Sequence, residues 1–401
     1  MVLMNNLTTK IARIFNDSLE AITNDSNHTS HSLISDNLLT RINCNYRPCS
    51  DSLTKLSSIF NASLKASQNS NNVIKAFITE NKDTFQKIES MFQHSGWSTN
   101  DRIREFNVAT HDTSSSRCTI DNKFYIIKCY DYFYYIYNTE SNHCLIVTTG
   151  EKKSLTMVNI LLLTPYLLYG DLYAVHGGLV NDGENNILLT SSSLGGKTTF
   201  ALLFLENGGQ ILTEETTYIT KYGELLNYNV RNYFNIRIGT YLEFKDFFIK
   251  AGIINDSFLT LTNLTNMTKE KLFELGKKEQ ISIDFETLCK KRNNIATNRI
   301  THALKITLKK DKTDMTIKKS NSNEIVDRFL EVSLAPTVLL FKKLTNMTDI
   351  KRSKRRQELI QIFRNVKNYS ITSGLDYKRN FNFLLNEIRV LSKKNYNEPN
   401  F

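Results

Sequence analysis

The stretch Ser191 to Phe200, SSSLGGKTTF, carries the closing half of a phosphate-binding loop. Gly196, Lys197 and Thr198 fill the last three places of G-x-x-x-x-G-K-[ST]; Ser191 stands where the opening glycine belongs, with Ser192, Ser193, Leu194 and Gly195 between. Such a loop works because consecutive backbone N–H groups wrap phosphate oxygens at the start of a helix whose dipole favours anions. Gly195 and Gly196 can supply the positive-φ conformations, Lys197 the charge facing the terminal phosphates, and Thr198 a hydroxyl for Mg²⁺. Thr199 completes the set of nucleotide-contacting residues.

Two further groups could take part in the same chemistry. In QILTEETTYI, the adjacent carboxylates Glu214 and Glu215 follow a short apolar run. There one can hold Mg²⁺ and the other can accept a proton from an attacking hydroxyl. Side chains alternate along an extended chain, so the two are expected to take different roles, Glu214 with the metal and Glu215 as base. Upstream, His176 in YAVHGGLV sits between an apolar run and two glycines, where it can orient or deprotonate a nucleophile or serve as a core residue bonded to backbone.

These groups need a scaffold, and the pattern around them provides one. NNILLT reads as a buried strand entering the loop, TTFALLFLENG as a short helix stopped by Gly208, and QILT as a strand after it, together a βαβ unit. Upstream, FYIIKCYDYFYYIYN and HCLIVTT predict an antiparallel hairpin, and the apolar stretch 157–168 a helix, or a helix pair broken near Pro165. Downstream, TTYIT, FNIRIGTYLEF, HALKITLKK and PTVLLFKKL predict further strands, with 242–295 largely helical between them. Arg237, in the second of these, is either an exposed strand residue or a contact for phosphate or substrate.

The region before Phe124 reads differently. KIARIFNDSLEAI, SLTKLSSIFNASLKA and NVIKAFITENKDTFQKIESMF all show helical spacing, joined by the polar connectors NDSNHTSHS and ATHDTSSSRCTIDN. The expected organisation is a helical region over 1–110, a catalytic domain over 120–345 and a basic, helix-rich tail over 346–401.

The stretch from Ala174 to Ile219 resembles the catalytic core of the HPr kinase/phosphorylase superfamily. That family's pattern runs histidine-glycine, strand, G-x-S-G-x-G-K-[ST], helix, glycine, short strand and an acidic pair. His176 and Gly177 match its start, Ser193, Gly196, Lys197 and Thr198 its loop, Gly208 its later glycine, and Glu214 and Glu215 its acidic pair. Ser191 and Leu194 replace two loop glycines, and glutamates stand where the family has aspartates. The resemblance implies an α/β fold, a P-loop core of mixed sheet with flanking helices as in phosphoenolpyruvate carboxykinase. It implies ATP and Mg²⁺ as cofactors, and transfer of a phosphoryl group to a hydroxyl, serine first, on a peptide or small protein. The competing expectation is a catalytically silent, kinase-like binding protein for such a partner.

Composition narrows the alternatives. The chain of 401 residues is 40% hydrophobic, enough for a substantial core. No apolar run approaches the roughly 18 residues a membrane helix needs, and MVLMNNLTTK lacks the pattern of a secretory signal, so a cytoplasmic protein with no membrane partner is expected. Six cysteines without C-x-x-C pairs suggest ordinary thiols, neither a disulfide framework nor a zinc site. The net charge of +11 is dispersed, apart from Lys351, Arg352, Lys354, Arg355 and Arg356 in one segment. With no helix-turn-helix, zinc-finger or RNP pattern, a solvated helix face is expected there and nucleic acid is disfavoured as a partner. Nothing in the sequence decides an oligomeric state.

Overall fold

The computed structural model describes residues 2–34, 38–64, 73–94, 102–104, 114–120, 123–129, 133–150, 152–192, 195–226, 233–253, 280–288, 298–309, 314–332, 349–374 and 376–394. The fold is mixed α/β with several sheets. Apart from short stretches outside the described residues, the chain divides into two compact units that meet in sequence between Tyr173 and Ala174. The boundary therefore falls well beyond the one expected near residue 110–120. No described helix is long and apolar enough to cross a membrane.

The first unit is built on an eight-stranded sheet in the order β1-β2-β3-β8-β7-β6-β5-β4. Its strands are β1 (Thr29–Ile34), β2 (Leu39–Cys44), β3 (Val73–Glu80), β4 (Arg102–Arg104), β5 (Ser114–Ile120), β6 (Phe124–Cys129), β7 (Phe133–Asn138) and β8 (His143–Thr148). β2, β3 and β8 run parallel, and β4 to β8 form an antiparallel meander. The helices are α1 (Val2–Asn24), α2 (Arg47–Leu64), α3 (Lys82–His94) and α4 (Lys152–Tyr169). Ile11 and Phe15 of α1 and Phe85 and Ile88 of α3 share one core with Phe77, Tyr134, Ile136, Leu145 and Val147 of the sheet. The alternate residues Ala76, Ile78, Tyr135 and Ile146 are buried as well. Elsewhere in the unit, α2 and α4 meet through Phe60 and Tyr166, whose rings lie 4.6 Å apart edge to face. Tyr166 also donates to the Leu33 carbonyl at 2.6 Å.

Several expectations need correction here. The N-terminal region is not purely helical: VIKAFITE is strand β3, and the helix begins only after Asn81, whose Oδ1 accepts from Thr84 N at 2.9 Å. A strand buried on both faces shows no alternation, and its apolar run merged with the helical spacing that follows. NDSNHTSHS is not a free connector, because its end forms edge strand β1, held by backbone pairing that polar side chains permit. ATHDTSSSRCTIDN likewise contains β5. FYIIKCYDYFYYIYN is two strands, β6 and β7, which pair with each other before β8. The stretch 157–168 lies within α4, one helix with Pro165 inside it.

The second unit carries a six-stranded sheet in the order β12-β10-β11-β17-β19-β18. The chain enters it along β9 (Leu172–His176) and continues through β10 (Gly178–Asn181), β11 (Asn186–Ser191), α5 (Lys197–Glu206) and β12 (Gln210–Thr213). After β13 (Thr216–Thr220), β14 (Leu225–Leu226), β15 (Tyr233–Arg237), α6 (Ile238–Glu243) and α7 (Lys245–Lys250) come β16 (Gln280–Asp284) and α8 (Phe285–Leu288). The last elements are β17 (His302–Leu308), β18 (Thr316–Lys319), α9 (Ser322–Val332), α10 (Asp349–Arg364), β19 (Lys367–Ser373) and α11 (Tyr377–Lys394).

β11, β17 and β19 are parallel neighbours. The predicted βαβ unit exists, but antiparallel β10 lies between β11 and β12. β15 and β16 form a separate antiparallel ribbon, so the described part of 242–295, expected to be largely helical, combines helices with strand β16, while 254–279 and 289–295 lie outside the described residues; FNIRIGTYLEF is strand only as far as Arg237. PTVLLFKKL lies outside the described residues.

The expected C-terminal tail is part of the core. β19 lies inside the sheet between β17 and β18, and Phe381 of α11 sets its ring 4.8 Å from Phe204 and 6.2 Å from Phe200 of α5. KNYSITS hid this because it buries polar side chains within the sheet. Asn368 Nδ2 donates to the carbonyls of Phe363 and Val366, and Ser373 Oγ to that of Gly374. The basic segment of α10 is partly engaged too, since Arg356 clamps Asp327 of α9 through Nε and Nη2 at 2.6 and 2.9 Å.

Two predictions test this core. Replacing Phe381 with Ala removes a ring from the α5–α11 contact and should lower unfolding free energy by about 3–5 kcal/mol in urea titration, where a surface tail would lose almost nothing. The second concerns His302, which is 1% exposed and stacked on Tyr369. Burial, then the charge of Lys367, holds its imidazole pKa down to about 4 against a smaller opposing pull from Asp182. The folded pKa lies below the unfolded one, so this contribution is complete above pH 6.5 and is lost as pH falls toward 4. The loss should total about 3 kcal/mol and should flatten in His302→Gln when urea midpoints are compared between pH 7 and 4.

Candidate functional site

The loop candidate sits where its surroundings can position it. All six residues of β11 are buried, and the strand delivers the chain to residue 192 at the carboxyl edge of three parallel strands. That edge is where open α/β sheets place ligands. Ser193 and Leu194 lie outside the described residues. Gly195 N donates to Ser192 O at 2.9 Å, and Ser191 Oγ donates to the same carbonyl, also at 2.9 Å, closing the turn on itself.

Gly196 then adopts φ +99°, the left-handed region, and starts α5 without any side chain capping the first turn. A β-carbon at this position would stand 2.7 Å from Leu308 Cδ1, so both conformation and space select glycine. Lys197 and Thr198 follow on the half-buried side of the helix start. Thr199 is 7% exposed and belongs to the packed side with Phe200, which separates it from the other expected nucleotide contacts.

Lys197 Nζ lies 3.2 Å from His176 Nε2. An ammonium donates only, so this contact has imidazole Nε2 as acceptor and the ring proton on Nδ1. The structure thus joins two residues from separate expected groups, the loop lysine and the upstream histidine. His176 is fixed by its backbone: Thr190 Oγ1 donates to its carbonyl at 3.2 Å. The next residue is held more firmly, since Thr217 Oγ1 donates to Gly177 O at 2.9 Å and Gly177 N to Glu215 O at 3.0 Å. Thr213 Oγ1 bonds Thr217 Oγ1 at 2.7 Å and accepts from Leu179 N at 3.1 Å.

The acidic pair occupies the turn between β12 and β13, not an extended strand, and the two residues have different surroundings. Glu214 is 8% exposed, with Oε1 accepting from Asn235 N on β15 at 3.1 Å. Glu215 is half-buried and joined through its carbonyl to the Gly177 amide. Arg237 shares the half-buried side of β15 with Asn235, and burial lowers the pKa of its guanidinium. Among the described residues, no three His, Cys, Asp or Glu side chains gather as a metal site would.

Thr190, Thr213, Thr217, Asn235 and Leu308 were not anticipated from sequence. The threonines carry the only available signal, polar residues recurring inside apolar strands at positions that are 0% exposed. No protein-family model matches the chain, and no curated protein does.

The close approach at Gly196 is directly testable. Gly196→Ala should cost about 1–3 kcal/mol through left-handed strain and contact with Leu308. The double variant with Leu308→Ala should lose less than the sum of the two single changes in chemical denaturation. Full additivity would mean that residue 196 does not press on β17.

Proposed function

We propose that the second unit is a P-loop, HPr-kinase-like phosphotransferase that moves the terminal phosphoryl group of ATP to a hydroxyl, serine first, on a peptide or small protein. The observation that carries this reading is the Lys197–His176 contact at the uncapped start of α5, beside the Glu214–Glu215 turn. His176 and Lys197 meet through their side chains, and the acidic turn joins the same strand junction through the Glu215 carbonyl on the Gly177 amide.

The residues fit phosphates. The first turn of α5 offers backbone N–H groups with no side-chain cap, and Lys197 adds a cation beside them. A magnesium ion, which takes only one or two protein oxygens and completes its shell with phosphate and water, would draw on the Thr198 hydroxyl and a carboxylate of the acidic pair. When bound, it supplies neutralisation of phosphate charge. Glu215 takes the proton of the acceptor hydroxyl as its oxygen bonds to the terminal phosphorus and ADP departs. His176 holds Lys197 toward the loop, and the threonine bonds keep Gly177 and Glu215 in register.

One observation favours a second reading. Glu214 is buried and its Oε1 is engaged by Asn235 N, an arrangement suited to a domain that binds nucleotide or peptide without turnover.

The test is thermal denaturation with ATP and Mg²⁺, then release of labelled phosphate and its transfer to serine peptides. Stabilisation approaching about 2.7 kcal/mol at a hundredfold excess over Kd is expected for the unaltered protein and should vanish in Lys197→Ala. Glu215→Gln should keep the stabilisation and lose transfer. Stabilisation without turnover would select the binding reading, and no stabilisation in any protein would overturn the phosphotransferase reading.

A further inference from the structure

The sheet of the second unit carries a polar stretch that the loop chemistry does not use. Alternation along β17, β19 and β18 sends Leu304, Ile306, Tyr369, Ile371 and Ile317 to the face packed on α5 and α11. The residues between them face the other way and pair across the strands in two rows: Lys305, Ser370 and Lys318, then Thr307, Thr372 and Thr316. Lys305, Thr307, Ser370 and Thr372 are half-buried, and Thr316 and Lys318 are exposed, so both rows are open to solvent. They lie toward the carboxyl ends of β17 and β19, where open α/β sheets place ligands. The first row starts beside the loop: Lys305 pairs with Thr190 of β11, whose Oγ1 donates to the carbonyl of His176.

This shelf is not closed by its own contacts. Lys305 Nζ meets only Glu324 Oε1 of α9, at 3.3 Å, with the two side chains 31% and 47% exposed. The other oxygen of Glu324 accepts from Ser320 Oγ at 2.5 Å. Among the described residues no carboxylate pairs with Lys318, and Ser370 Oγ, between the two lysines in the row, has no hydrogen-bond partner. Resting on the phosphotransferase reading, we propose that the shelf receives the acceptor: an acidic peptide segment flanking the target serine, its carboxylates set on Lys305 and Lys318.

Neighbouring strands lie about 4.8 Å apart, so the row from Thr190 to Lys318 spans about 14 Å, the length of about four extended residues. Carboxylates within about four residues of the serine therefore reach the lysines while the serine stands at the loop. The net charge of +11 favours the approach of such a segment. Exposed ion pairs are individually weak and are screened by salt, so the shelf selects among peptides rather than binding them tightly. Glu324 is the built-in competitor: its carboxylate holds Lys305 until one from the peptide replaces it, an exchange of one ion pair for another.

The test is fluorescence anisotropy on the intact protein, without nucleotide, using two labelled peptides with a central serine flanked on both sides by aspartates or by asparagines. The aspartate peptide should bind about tenfold more tightly, with a preference that shrinks as salt rises. The double variant Lys305→Ala, Lys318→Ala should bind both peptides alike, its folding checked by urea titration. Glu324→Gln should bind the aspartate peptide more tightly than the unaltered protein, a gain that a merely structural Lys305–Glu324 pair does not produce. Equal affinities in the unaltered protein, a preference that survives the double variant, or no gain in Glu324→Gln would overturn the proposal. So would displacement of the aspartate peptide by an oligothymidylate of equal charge, which would assign the shelf to nucleic acid. The readout is independent of turnover. Aspartate preference in a protein inert toward ATP would overturn the phosphotransferase reading and leave the shelf as a peptide-binding surface; ATP stabilisation with equal peptide affinities would overturn the shelf alone.

Discussion

A β-carbon at residue 196 would stand 2.7 Å from Leu308 Cδ1, so any larger residue there would have to displace that side chain. This single close approach ties the candidate loop to β17, and through β17 to most of the second unit. β17 is flanked by β11 on one side and β19 on the other, so the loop's position depends on a strand more than a hundred residues further along the chain. α5, which starts at this contact, is held in turn by Phe381 of α11. The C-terminal segment therefore supports the loop helix through Phe381 and the sheet through β19, and the core is closed only when both elements are in place. Such long-range closure carries a loop-entropy cost that local helices do not, so assembly of this sheet is expected to be slow relative to the helices that cover it.

A second constraint acts at the other end of the loop chemistry. Glycines at 177 and 178 let the β9–β10 junction lie against the β12–β13 turn; a β-carbon at Gly178 would stand 2.6 Å from Glu214 O. Buried threonine hydroxyls then supply the hydrogen bonds that packed backbone would otherwise lack. A buried polar group left without a partner costs more than a made hydrogen bond gains, so this network fixes one arrangement of His176, Gly177 and Glu215 rather than adding much net stability. Positional uniqueness is what charge-based chemistry requires, because its effect depends on where donors and acceptors stand.

Legibility in the sequence followed the same physics. Strand β11, the Gly196 turn and α5 were readable because a buried apolar run, a glycine pair and a helical run follow one another without interruption. β3 was misread because a strand covered on both faces loses its period-two signature, and Asn81, the cap that separates it from α3, is one residue in a polar-rich region. β19 escaped notice for the opposite reason: polar residues such as Asn368 and Ser373 are buried in it, with Asn368 Nδ2 bonded to neighbouring carbonyls, a condition visible only once the strand is paired. The Lys197–His176 contact was unreadable as a distance, though both residues were singled out, because the antiparallel strand β10 that aligns them had no distinct signal of its own.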